Sequence, residues 1–116
     1  MEEAYKAGKA RAIGVSNFYP DRYIDIAHFA EVVPAVNQVE THVFQQQKEA
    51  RKYLSKYNTQ IMSWGPFAEG KNDFFNTPVL KEIGAKYGKS AAQVALRFLL
   101  LKCYNKVVTE VANKIY

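Results

Sequence analysis

The side chains with the most chemical reach lie in three short stretches: Ser16-Asn17, then Gln38 and Glu40 with His42 just beyond, then Trp64. Hydroxyl and amide groups both donate and accept, so they match the edge of a carboxamide, and an indole offers a flat face to a planar ring. The set suits the holding of a planar, amide-bearing ligand. It does not suit acid–base chemistry, because no coupled pair of titratable groups falls there. His42 could serve as a general acid, but no partner is evident beside it. Metal chemistry is poorly supplied. His28 and His42 stand 14 positions apart, too far for a pair one helical turn apart, and the single cysteine, Cys103, excludes an internal disulfide and a multi-cysteine metal site.

Each residue also fits a plainer role. Ser16-Asn17 ahead of Pro20 is ordinary turn and capping chemistry. Gln38 and Glu40 fit solvated strand ends, Trp64 fits a core or lid aromatic, and His28 fits a helix surface or packed position. Cys103 fits a buried small hydrophobe. Residue types alone leave both readings open.

The elements that must position these residues follow a rhythm. Apolar-leaning stretches of strand length begin at Ala12 (AIGVSN), Ala35 (AVNQVE) and Thr59 (TQIMSW), spaced by 23 and 24 residues. Helical patterns fill the gaps. The first opens at Pro20, whose fixed φ suits a first helical turn, and groups Tyr23, Ile24, Ala27 and His28 on one side. The second runs from about Gln45 to Tyr57, with Ala50, Tyr53, Leu54 and Tyr57 at helical spacing. Strand–helix–strand crossovers make parallel strands, so the expected class is α/β. Ligands in such architectures bind at the C-terminal strand ends, where Ser16, Asn17, Gln38, Glu40 and Trp64 fall.

Outside this rhythm, Glu2 to Ala7 reads as the end of a helix begun further upstream and closed by Gly8. Gly65 to Asn76 reads as a loop. Thr77-Pro78 reads as a cap and first turn of a helix that runs to about Tyr87 and stops at Gly88. Ser90 and Gln93 form a capping-box pair before an apolar helix with Val94, Leu96, Phe98, Leu99 and Leu100. From Lys102 to Tyr116 no period is clear, and VVTEV reads as strand or helix.

Composition bounds the rest. The 116 residues allow one small domain, and 48% hydrophobic content favours a packed core over disorder. The net charge of +5 is spread out: residues 1–58 hold 8 basic and 7 acidic side chains, residues 59–116 hold 8 and 4. No block of one sign appears, so the lysines read as solvated helix faces and no nucleic-acid partner is expected. No run of 18 apolar residues exists and the N-terminus lacks a signal-peptide core, so a cytoplasmic protein with no membrane partner is expected.

In this order and at this spacing, GKARAIGVSNF, PAVNQVETH and SWGPFAEGK resemble the aldo-keto reductase family, most closely its bacterial-type members. The resemblance covers about Glu2 to Leu100. It implies a TIM (β/α)8 barrel, of which this chain looks like the part carrying the fifth to seventh strands. Residues 1–116 would form a single partial barrel domain with an unassigned tail over 101–116. A full barrel needs about 250 residues. By resemblance, Ser16, Asn17 and Gln38 match the residues that hold the nicotinamide carboxamide, and Trp64 stands where many members stack Tyr on the nicotinamide ring. Gly65 replaces a Ser that helps hold the pyrophosphate, and main-chain N–H groups of Phe67 and Glu69 become phosphate contacts. The implied cofactor is NADPH, with weak affinity at best expected for this chain alone, and the implied reaction reduces aldehydes and ketones to alcohols.

The family's catalytic Asp, Tyr, Lys and His lie on earlier strands and loops. None of the eight tyrosines here would inherit the proton-donor role, so this chain alone is expected to be inactive. The family's Pro-Lys-Ser pattern for the 2′-phosphate is not found in LKCYNKVVTEVANKIY, and family sequence is expected to end near Leu100. The alternative from another class is a non-catalytic structural or interaction protein built on a half-barrel, which self-associates through exposed strand edges.

Overall fold

The structure, a computed structural model, describes residues 1–103. The expectations for VVTEV and for the Cys103 side chain fall outside what is described. In chain order the elements are α1 (Glu2–Lys6), β1 (Gly14–Ser16), α2 (Pro20–Phe29), β2 (Val36–Glu40), α3 (Lys48–Lys56), β3 (Gln60–Trp64), two 3-10 turns (Ala68–Gly70 and Phe74–Asn76), α4 (Pro78–Tyr87) and α5 (Ala91–Cys103). The residues sort into two compact units. One holds Met1–Val39 and Gln47–Met62, the other Glu40–Gln46 and the described residues from Ser63 onward.

In the first unit the β-α rhythm becomes a parallel sheet in the order β1-β2-β3. Gly14 faces Val36, Val15 faces Asn37 and Ser16 faces Gln38. Gln60 N–H donates to the Ala35 carbonyl at 2.9 Å and brings β3 alongside. β1 is shorter than AIGVSN suggested. Gly14 explains its close approach to β2, because a Cβ there would stand 2.4 Å from Val36 Cγ2.

Helix α2 buries Tyr23 and Ala27, four residues apart on one face. Ile24 and His28, grouped with them on sequence, are exposed. Helix α3 buries Ala50, Tyr53 and Leu54 as expected. It starts at Lys48 rather than about Gln45, because Gln45 exchanges backbone hydrogen bonds with His42, each 3.0 Å, and Gln47 turns left-handed at φ +51°. The Tyr23 ring packs against Tyr53 and Tyr57 at centroid distances of 5.7 and 5.8 Å. Its hydroxyl bonds the Thr59 hydroxyl, which donates to the Pro34 carbonyl at 2.6 Å. Tyrosine is already a protonated donor at neutral pH, and burial pushes the Tyr23 and Tyr53 phenols further above the usual value.

In the second unit the stretch Gly65 to Asn76 is more ordered than its composition suggested. Phe74, in the second 3-10 turn, is fully buried. Phe44, Phe67 and Phe75 surround it at centroid distances of 5.7, 5.8 and 5.4 Å. Phe74 shares a core with Ala68, Leu80 and Ala95. Helix α4 ends at Gly88, φ +61°, where the sequence placed its stop. Thr77 does not cap that helix with its side chain; its hydroxyl donates back to the Phe74 carbonyl at 2.7 Å. The Ser90–Gln93 box does form: Ser90 N–H donates to Gln93 Oε1 at 2.9 Å and Gln93 N–H to Ser90 Oγ at 3.2 Å. Helix α5 then buries Ala95 and Leu99, while Val94, Leu96, Phe98 and Leu100 are half-buried.

Candidate functional site

β1 ends at Ser16, and the chain is turned against β2 there. Ser16 Oγ donates to the Gln38 carbonyl at 3.0 Å, and Asn17 N–H donates to the same oxygen at 2.8 Å. Asn17 has φ +55°, a left-handed conformation that asparagine accepts more readily than most residues. The N-cap of α2 is Tyr19, with no side-chain cap bond, and Ser16-Asn17 lies ahead of it as a turn. Gln38 is half-buried, and its amide nitrogen stands 3.3 Å from Met62 Sδ, a weak acceptor. Ser16, Asn17 and Gln38 are therefore gathered at one end of the β1–β2 pair.

β2 alternates. Asn37 and Val39 are buried, Gln38 and Glu40 half-buried on the opposite face. Asn37 was not singled out from the sequence. It is fully buried, its Nδ2 donates to the Phe18 carbonyl at 2.6 Å, and Phe18 N–H donates to its Oδ1 at 3.3 Å. Tyr53 OH donates to the same carbonyl at 3.1 Å. The signal was available: an amide at an inward position of an apolar strand must find partners.

In the second unit, Trp64 ends β3, half-buried, and its carbonyl accepts Thr41 N–H at 3.1 Å. Gly65 follows at φ +60°, where glycine is favoured; a Cβ would meet only Glu40 Cγ, at 3.9 Å, so backbone conformation rather than space calls for glycine. The chain then coils tightly. Ala68 N–H donates to Gly65 O at 2.8 Å, Gly70 N–H to Phe67 O at 2.9 Å and Lys71 N–H to Ala68 O at 2.9 Å. The Phe67 ring faces Phe74 and Phe75, so its side chain is committed to the core. The exposed Glu69 carboxylate pairs with Lys71 at 2.5 Å, which holds the Glu69 carboxyl below its usual value and the Lys71 amine above its own.

One sequence expectation is corrected here. Glu40 and His42 do form a titratable pair: His42 is buried and its Nε2 stands 3.1 Å from Glu40 Oε1. Phe44 N–H donates to His42 Nδ1 at 3.3 Å, so the neutral ring carries its proton on Nε2 and donates it to Glu40. Both ring nitrogens are engaged. Spacing of two in extended chain puts the two residues on one face, which is why the pair forms. Among the described residues no group of three or more His, Cys, Asp or Glu is placed to hold a metal, and no helix is long and apolar enough to cross a membrane.

The family model described as the aldo/keto reductase family matches residues 1–113. The chain belongs to this family. That match continues past Leu100, where the sequence placed the end of family resemblance. Protein REDOX 2 of Catharanthus roseus is 38% identical over 119 residues and covers 98% of the chain. Glyoxal reductase of Bacillus subtilis is 43% identical over 98 residues, covering 84% of this chain and 35% of the relative. A mutant of Gox0644 in complex with NADPH superposes with a TM-score of 0.80 at 34% identity, covering 86% of this chain and 36% of that one. The chain spans about a third of the length of the curated relatives it matches.

The donor set fits the carboxamide of a nicotinamide. That group presents one acceptor oxygen and one donor NH2, and the amides of Gln38 and Asn17 and the Ser16 hydroxyl offer both kinds of partner. With its proton donated to the Gln38 carbonyl, the Ser16 hydroxyl has only its lone pairs to offer, as an acceptor.

Proposed function

We propose that this chain supplies the nicotinamide-holding part of an NADPH-dependent aldo-keto reductase that reduces aldehydes and ketones to alcohols. The observation that carries the reading is the shared Gln38 carbonyl, which draws Ser16 and Asn17 together at the C-terminal end of a parallel strand pair. In this reading β1, β2 and β3 are the fifth to seventh strands of a TIM barrel, residues 1–116 are one partial barrel domain, and the parent is a bacterial-type cytoplasmic enzyme. The 43% identity to the Bacillus glyoxal reductase supports that affiliation.

Ser16, Asn17 and Gln38 bind the carboxamide and so set the ring's orientation. Trp64 offers its indole face to the ring, and the main chain at Gly65, Phe67 and Glu69 contacts phosphate oxygens through N–H groups. Bound NADPH supplies a hydride to the carbonyl carbon. The chain's own residues orient and do not donate a proton, so no catalytic residue is assigned among them. The substrate is a small carbonyl compound, and neither nucleic acid nor membrane takes part.

Trp64 is the only tryptophan, so its fluorescence reports directly. NADPH titration should quench it, and Gln38→Ala or Ser16→Ala should weaken the binding. Unchanged binding in both variants would remove the reading. Steady-state assay of the chain with NADPH and aldehydes should show no turnover; turnover abolished by Trp64→Ala would refute the absence of catalysis.

A second reading, a non-catalytic protein that self-associates, is favoured by exposed apolar side chains such as Phe29 and Tyr87, 79% and 73% accessible. Light scattering should show association, and a monodisperse monomer would exclude it.

A further inference from the structure

We infer that Asn37 is a positioning residue for the carboxamide-binding turn, acting through the backbone of Phe18. The inference rests on the proposed nicotinamide site and extends it to a side chain that never meets the ligand. Asn37 sits on β2 immediately before Gln38, on the opposite face of the strand, and is fully buried. Its amide copies what a neighbouring strand would offer: Nδ2 gives a proton to the Phe18 carbonyl at 2.6 Å, and Oδ1 takes one from Phe18 N–H at 3.3 Å. The orientation of the amide follows from chemistry, since a carbonyl can only accept and an N–H can only donate. Tyr53 OH donates to the same carbonyl at 3.1 Å.

β1 ends one residue before Asn17, and the chain must leave the sheet there in a left-handed turn. Nothing in the strand ladder extends to Phe18. Asn37 closes the gap, so the turn is held on both sides: Asn17 N–H and Ser16 Oγ on the Gln38 carbonyl, Phe18 on the Asn37 side chain. β2 therefore uses adjacent residues for separate tasks. Gln38 presents a ligand group on one face, and Asn37 anchors the neighbouring ligand loop on the other.

The variants are chosen to preserve volume. Asn37→Leu removes both bonds, and Asn37→Asp keeps an acceptor for Phe18 N–H but sets an oxygen against the Phe18 carbonyl. Amide hydrogen exchange on the chain should show lost protection at Asn17 and Phe18 in Asn37→Leu, a smaller loss at the Phe18 N–H in Asn37→Asp, and retained protection in α2 and α3 in both. NADP+ affinity, followed by Trp64 fluorescence, should fall about tenfold in Asn37→Leu, the worth of a lost buried hydrogen-bonded pair. Tyr53→Phe should weaken it by a smaller factor. In the double variant Ser16→Ala/Asn37→Leu the two losses should combine to less than their product, because both act through one turn. An even loss of protection throughout the unit, or losses that multiply fully, would reduce Asn37 to a general stability role and overturn the inference. Affinity that responds to Ser16→Ala and Gln38→Ala but not to Asn37→Leu would overturn the inference alone. No response to any of them, or no binding by the unsubstituted chain, would overturn the nicotinamide site itself.

Discussion

Segments 16–18 and 65–76 both leave the end of a parallel strand, and both pass through left-handed residues, Asn17 in one and Gly65, Ala68, Glu69, Gly70, Asn72 and Asp73 in the other. They are held by different physics. The first is tied to its neighbouring strand by directional hydrogen bonds from Ser16, Asn17 and Asn37. The second is pinned by one buried ring, Phe74, inside a cluster of aromatic side chains. Hydrogen bonds fix where a backbone atom lies but contribute modest net stability. An aromatic anchor contributes much more, through area and packing, and prescribes backbone direction less strictly. A carboxamide-holding turn needs the former; a turn that offers main-chain N–H groups can be shaped by the latter.

If that contrast is right, the largest stability loss should come from the aromatic side. Phe74→Ala removes a fully buried ring and should cost about 3–5 kcal/mol in urea unfolding. Exchange protection at Asn17 and Phe18, measured below the transition, should change little. A small loss for Phe74→Ala would mean that the cluster collapses around the gap and is no anchor.

The next effect tests the polar side. Thr59→Val removes both the partner of the buried Tyr23 hydroxyl and the donor to the Pro34 carbonyl, and should cost about 2 kcal/mol. Tyr23→Phe leaves the Thr59–Pro34 bond in place and should cost less. Reversal of that order in chemical denaturation would show that the Tyr23 hydroxyl, not the Thr59–Pro34 bond, carries the chain.

Ser90→Ala breaks the reciprocal box at the start of α5 and should cost about 1 kcal/mol, read as a lowered melting temperature. Ser90→Asp, which retains an acceptor, should recover most of it.

The smallest effect should come from the surface pair Lys6–Glu31. The Lys6 ammonium holds the Glu31 carboxyl below its usual value, and Glu31 holds the Lys6 amine above its own. Whatever the pair contributes is therefore present at neutral pH. It is lost as pH falls through the lowered carboxyl value, or as pH rises through the raised amine value. Both groups are fully exposed and screened by solvent, so Glu31→Gln should leave the melting temperature at pH 7 unchanged within error, at low and high salt alike. A salt-sensitive drop would contradict this.

The sequence alone determined the elements whose signals are local. Pro20 and Pro78 mark helix starts, Gly88 marks a stop, and Ser90 with Gln93 marks a capped N-terminus, each acting within one turn of chain. The spacing of three strand-length stretches sufficed for a parallel α/β arrangement, because a crossover helix of ordinary length allows little else. Ser16, Asn17, Gln38 and Trp64 were legible as a candidate site because strand ends follow from the same spacing. What only the tertiary structure decided depends on contacts distant in sequence or on the choice of face. Ile24 lies beside Tyr23 in sequence yet is exposed, since the face of α2 that is buried is chosen by its neighbours. Phe74 sits in a stretch whose glycines and polar residues read as loop, yet it is buried and its ring meets Phe44, some 30 residues earlier. The Glu40–His42 pair was close enough to see, but only the fold shows that the imidazole is buried and held at both nitrogens. Asn37 meets Phe18 across 19 residues. Side-chain hydrogen bonds of that range leave no periodic trace, because their geometry exists only once two strands have been brought into register.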